Sequence, residues 1–268
     1  MSAFPSITDR ALLLSALMVV CATSASAQAA RPATSGVPPA VRLRDSAIAL
    51  IARAVPAGDI TSLQNARALL ERGLAVAPGD PWLMHYAGYA LYREATILLG
   101  RDGADVGPLL ERADELLERS AALGTIPESH ALRSGVLGMM IGSNPLKGMT
   151  LGPRSGEQMD KALELDPTNP RVWMLRGIGA MNTPAMFGGG LEKAEEYLTK
   201  AIALYARDEP QPPAPSWGAH EAHVWLGQVY AKQKRVAEAR AQFEKALAIE
   251  PNDMWVRMTL LPALDKKK

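Results

Sequence analysis

The sequence predicts an all-α fold, a solenoid of about five stacked helix pairs closed by a C-terminal capping helix. Three observations predict it. From about residue 40 onward apolar residues recur at helical spacing, with no run of alternating β-branched residues and no hairpin signal. A set of small, aromatic and proline positions returns at near-regular intervals. Each such unit carries an apolar face that it cannot cover alone, so neighbouring units must stack.

The N-terminal stretch precedes this pattern. Residues 1–27 have the layout of a secretory signal peptide: Arg10 (offset by Asp9), an apolar run over residues 11–22, and the small-x-small cleavage pattern Ala25-Ser26-Ala27. The run is short for a bilayer span. Cleavage would leave a chain beginning near Gln28 with no stable membrane anchor; an uncleaved anchor helix is the other reading. Cys21, the only cysteine, lies in this segment behind Val20, where a lipid-anchored bacterial protein needs a small residue. The mature chain would then have no thiol for a disulfide, a zinc site or a nucleophile. A periplasmic or secreted location is expected. Residues 28–39 read as a disordered leader and residues 40–268 as the helical repeat domain.

The repeat is clearest near the C-terminus. Residues 220–253 (HEAHVWLGQVYAKQKRVAEARAQFEKALAIEPND) carry Leu226-Gly227, Tyr230, Ala239, Phe243, Ala246 and Pro251. Small residues let two helices approach, aromatics fill the seam, and proline ends the second helix. Upstream, Ala162, Pro167, Trp173, Gly177, Ala194, Leu198 and Ala201 repeat the pattern, as do Ala66, Leu70, Gly73, Pro78 and Gly88, then Ala113, Leu117, Ser120 and Gly135. Pairs are expected to begin near residues 40, 80, 127, 170 and 217, with the cap over residues 254–264. In these spacings the chain resembles the tetratricopeptide repeat (TPR) family, of exported bacterial type. The resemblance implies a right-handed superhelix that binds ligands on its concave face. In size, export and repeat type the chain is also similar to helical-repeat proteins associated with tripartite (TRAP) transporters.

Three stretches lengthen the units between their two helices: residues 100–107, 142–153 and 182–190. Stacking in register should bring all three to one edge, as a functional surface or as tolerated loop growth. Met186 and Phe187 in the third are apolar residues that need something to pack on. The proline-dense residues 207–216 read as a stiff connector, or as a docking motif. The triple Gly188-Gly189-Gly190 reads as a flexible turn.

No catalytic constellation is legible, and no enzyme activity or cofactor is expected. There is no phosphate-cradling loop and no nucleophile elbow. His220 and His223 stand three apart rather than the four that a helical zinc motif needs. The methionines between Met139 and Met186 form no dense Met-x-Met run and fit irregular apolar surface better than a soft-metal site. A net charge of +1 and 5% aromatic content argue against nucleic acid as a partner.

Projection of the first helices inward gives a candidate groove: Trp82, His85, Tyr89, Tyr92 and Arg93 in the second unit, Met139 and Met140 in the third, Arg171, Met174 and Met181 in the fourth, and Gln228 in the fifth. Such a surface suits a protein or apolar peptide, with a small apolar ligand as the alternative. The inserts or the leader could also fold back and fill it. The expected function is an extracytoplasmic scaffold for protein–protein interaction, or else a carrier or transporter-accessory subunit.

Overall fold

The computed structural model describes residues 36–99 and 103–265, which form eleven α-helices with no strand among the described residues. The segment read as a signal peptide, and all but the end of the leader, lie outside the described residues. The helices are α1 (Pro39–Ala57), α2 (Ile60–Val76), α3 (Pro81–Leu98), α4 (Gly107–Leu123), α5 (Pro127–Ser143), α6 (Gly148–Leu165), α7 (Pro170–Asn182), α8 (Leu191–Tyr205), α9 (Ala219–Lys232), α10 (Val236–Ile249) and α11 (Leu261–Asp265). They pack in five consecutive pairs, α1/α2 to α9/α10. A π-helical turn, Val256–Leu260, leads into α11 and forms the cap, which buries Val256 and Leu264 against the last pair. Among the described residues no helix is long and apolar enough to cross a membrane.

Three junctions, α2 to α3, α6 to α7 and α10 to the cap, use the same local chemistry. Pro78, Pro167 and Pro251 stand two residues beyond the end of a second helix. An Asx side chain then caps the next helix. Asp80 accepts the amides of Trp82 and Leu83, Asn169 those of Arg171 and Val172, and Asp253 that of Val256. Pro81 and Pro170 occupy the first helical turn, where a missing amide costs nothing.

Within a pair, the helices close where the first one has no side chain. A Cβ on Gly88 would lie 2.6 Å from Leu117 Cγ, one on Gly177 2.6 Å from Leu198 Cγ, and one on Gly227 2.5 Å from Phe243 Cε1. The third pair departs from the expected register. Gly135 faces Tyr92 of the preceding pair, 3.6 Å away, instead of its own second helix. Ser134 takes the inter-helix position, with its hydroxyl 3.0 Å from that of Ser155 on α6. A hydrogen-bonded serine pair thus replaces the glycine contact and moves this unit's register by one residue.

The inserts also differ from simple loops. Residues 142–153 are mostly helical: a 3-10 turn, Pro145–Lys147, leads into α6, which runs through Pro153. That proline is exposed and near the helix start, so its missing amide interrupts the helix only at a solvent-facing end. The triple glycine is not a slack turn. Gly188 and Gly190 have φ of +88° and +115°, and a Cβ on Gly189 would fall 2.1 Å from the Thr183 carbonyl oxygen. The Gly190 amide donates to Ala180 O at 2.9 Å, which ties the loop back to α7.

Two substitutions separate glycines that pack from glycines that do not. Gly227→Val drives a side chain into Phe243 and should lower stability by about 1–3 kcal/mol. Gly152→Ala meets nothing within 4 Å and should be neutral or stabilising by up to ~1 kcal/mol. Urea midpoints measure both, and equal destabilisation by the two would refute this packing scheme.

Candidate functional site

The first helices of successive pairs touch one another, whereas the second helices touch only their own pair and the next first helix. The first helices therefore line the inner side of the curve. The curve is tight enough for Arg93 on α3 to pair with Glu221 on α9 at 2.7 Å.

The inner face is not an open trough. Residues 206–218, which include the proline-dense stretch read as a connector, run across it as a strap. Tyr86 Oη donates to Pro213 O at 2.8 Å. Trp217 stacks on Tyr89, with ring centroids 4.7 Å apart and 12° between planes. Tyr205 Oη donates to Trp217 O at 3.3 Å. Arg171 grips Asp208 through both guanidinium nitrogens, and Glu128 stands 4.0 Å from the same group. Arg93 lies 6.0 Å from the Tyr89 ring and Arg171 6.0 Å from the Trp217 ring, so two cations bracket the aromatic stack. Burial pushes the Tyr89 and Tyr205 hydroxyls well above their ordinary range, and both stay protonated.

The projected groove residues fall into three groups. His85, Tyr89, Tyr92, Arg171 and Met174 are buried, and of these Tyr89 and Arg171 hold the strap. Trp82, Arg93, Met139, Met140, Met181 and Gln228 are half-buried. Met186 and Phe187, by contrast, stand 83% and 72% exposed. The structure joins Tyr89, Arg93, Arg171 and Met174 into one cluster, the last through a Tyr205 hydroxyl 3.9 Å from its sulfur. Sequence projection missed Tyr86, Trp217, Tyr205 and Asp208. A tryptophan directly after a proline-dense run was the available signal, since a bare spacer has no use for one.

Met186 and Phe187 have company on their edge. The turn between α5 and α6 presents Leu146 at 88% and Met149 at 91% exposure. Both turns join the two helices of a pair, in consecutive pairs, so they emerge on the same edge. Lys147 is exposed beside them. The loops are held firmly: Asn144 caps the first, and the constrained glycines brace the second.

The histidines are bound separately. His130 meets Gln158 at 2.9 Å, His223 meets Gln242 at 2.7 Å, and His220 lies 3.7 Å from Asp253. Among the described residues no group of three or more His, Cys, Asp or Glu could hold a metal ion. His85 is fully buried; its Nδ1 is 2.9 Å from Ser129 Oγ, and Ser129 continues through Ser120 to the Pro81 carbonyl.

Comparison with known proteins agrees with this architecture. The tetratricopeptide repeat family model matches residues 220–253. The TTC0263 TPR protein of Thermus thermophilus superposes with a TM-score of 0.57 at 22% identity, over 82% of this chain and 98% of that one. Residues 220–253 are a tetratricopeptide repeat, and the chain shares the fold of such solenoids. The chain is also similar to the HusA haemophore of Porphyromonas gingivalis, with a TM-score of 0.61 and 28% identity over 74% of this chain and 96% of that one. No curated protein sequence matches it.

Burial holds the His85 pKa down to about 3, with the charge of Arg171 adding to the effect. Unfolded, the ring titrates near 6.5. The unfolded state therefore binds the extra proton between these values. The stability contributed is complete above pH 6.5 and is lost as pH falls toward 3. His85→Gln should flatten the fall in urea midpoint between pH 6.5 and 4. Parallel profiles for variant and wild type would show that His85 does not titrate as described.

Proposed function

We propose that this protein is an exported scaffold that holds a partner protein, and that the insert edge of pairs three and four is its recognition surface. One observation carries the reading: Leu146, Met149, Met186 and Phe187 stand 72–91% exposed on two braced, neighbouring turns. Large apolar side chains held rigidly in water are unfavourable for an isolated chain, and grouped ones mark interaction sites. The concave face offers less free surface, because the strap covers its centre. Export is supported by the layout of residues 1–27.

Mass spectrometry of protein recovered from an envelope fraction should give a chain beginning at Gln28; a chain retaining residues 1–27 would refute export by cleavage. A photo-cross-linking amino acid at position 187 or 146 should give one discrete protein adduct in cells, and the same group at exposed Glu164 should not. Equal labelling at all three positions, or none at 146 and 187, would remove the edge as the recognition surface.

A second reading is favoured by the likeness to the HusA haemophore, which extends over nearly all of that chain. In it, the edge carries haem, with Phe187 for stacking and the thioethers of Met149 and Met186 as soft donors. Haemin titration should then shift the Soret band and saturate near one equivalent, and Met186→Ser with Phe187→Ser should abolish the saturation. Non-saturable, mutation-insensitive absorbance discards this reading.

A further inference from the structure

The strap fits its seat poorly. On one side a cleft of about 200 Å³ opens between Trp217 and the aliphatic face of α1, lined by Ile48, Ile51 and Val55. On the other a cleft of about 460 Å³ lies between Asp208–Pro210 of the strap and the starts of α5 and α7. The polar atoms around it are also left over. Arg93 Nε, His85 Nε2, Arg171 Nε, Glu221 Oε2 and Gln228 Nε2 on the lining helices, and Trp217 Nε1 on the strap, are buried without a hydrogen-bond partner. Buried donors and acceptors are normally paired, so a group that supplies partners to Arg171 Nε or Glu221 Oε2 gains by it.

The strap is also chemically suited to leaving. Pro210, Pro212, Pro213 and Pro215 have no amide to donate. Its internal backbone bond runs from the Ala214 amide to Gln211 O at 2.8 Å. What holds it is a short set of contacts: Arg171 to Asp208, Tyr86 to the Pro213 carbonyl, and Tyr89 and Tyr205 to Trp217. A proline-rich segment stays extended when released, so little ordering is lost or gained on release.

We propose that the strap is an internal stand-in for a peptide ligand, and that the inner face opens to an extended, proline-containing segment bearing a carboxylate and, about nine residues later, an aromatic ring. The strap itself is the template for that chemistry. Buried Arg171 requires a carboxylate, Tyr86 a backbone carbonyl, and the face of Tyr89 a flat ring. A ligand bulkier than the strap fills the two flanking clefts and reaches Arg171 and Glu221 on their walls, which is how it prevails over a tethered competitor at millimolar effective concentration. This surface is distinct from the insert edge, so each stands or falls without the other.

The probe is a fluorescein-labelled peptide with the sequence of residues 206–218, added to the mature chain. Wild type should bind it weakly. The double variant Asp208→Ala/Trp217→Ala, whose own strap has lost its anchors, should bind at least ~10-fold more tightly. A control peptide with alanine at its Asp and Trp positions should bind neither. A folded double variant that binds no better than wild type, or binds the control peptide equally, overturns the proposal. Hydrogen exchange on unmodified wild type tests it without any substitution. The Ala214 amide should exchange at least ~100-fold faster than those of α3 and α7, through local opening. Exchange at the helix rate would show that the strap is released only on global unfolding, and would overturn the proposal equally.

Discussion

The architecture depends on close approach between the two helices of a pair, which is possible only where the first helix carries almost nothing. Leu117, Leu198 and Phe243 each fill the space a Cβ would take on Gly88, Gly177 or Gly227. This contact sets the distance between paired helices and turns the large residue of the second helix into a key for the first. The units then share a geometry and can stack, with each apolar face buried by the next pair. The Asx caps and prolines set where α3, α7 and the terminal cap begin, which helps those units keep a common register.

Stacking produces curvature, and curvature produces the inner cluster. Because first helices contact first helices, α3 and α9 come within ion-pair distance although more than a hundred residues separate Arg93 from Glu221. The inner face that results is not bare. It is covered by residues 206–218, held through buried Arg171 and the Tyr89–Trp217 stack. The same register that forms the inner face carries the α5/α6 and α7/α8 turns to one edge. There the most exposed apolar side chains collect, on turns braced by Asn144 and by Gly189, which has no room for a Cβ.

The two surfaces therefore differ in kind. The inner face is rich in recognition chemistry, with cations, tyrosines and carboxylates, but its centre is covered by the chain itself. The edge has little polar chemistry and large apolar exposure. A scaffold with this division can engage a partner at the edge while the inner face stays closed to casual contact. At that centre Trp217 stacks on Tyr89, with Arg93 and Arg171 each 6.0 Å from one of the two rings.

The pairs, their starting points and the cap were legible from the sequence, because they rest on local chemistry: glycine where helices touch, proline where they end, helical spacing of apolar residues. The third unit was misplaced by one residue because Ser134, paired with Ser155, does the work that glycine does elsewhere, and a serine carries no such local signature. Residues 142–153 looked like a loop because glycine and proline are turn signals, yet a proline near a helix start is compatible with the helix. The place of Met186 and Phe187 in an insert was legible, but that nothing in the chain would pack on them was not. Nor was the fate of the inner face. Whether Tyr89 and Arg171 meet solvent or a covering segment depends on how tightly five pairs curve. It depends equally on where a connector lies relative to helices far away in sequence. Local patterning decided which residues point inward; only the tertiary curvature decided that Asp208 and Trp217 would be there to meet them.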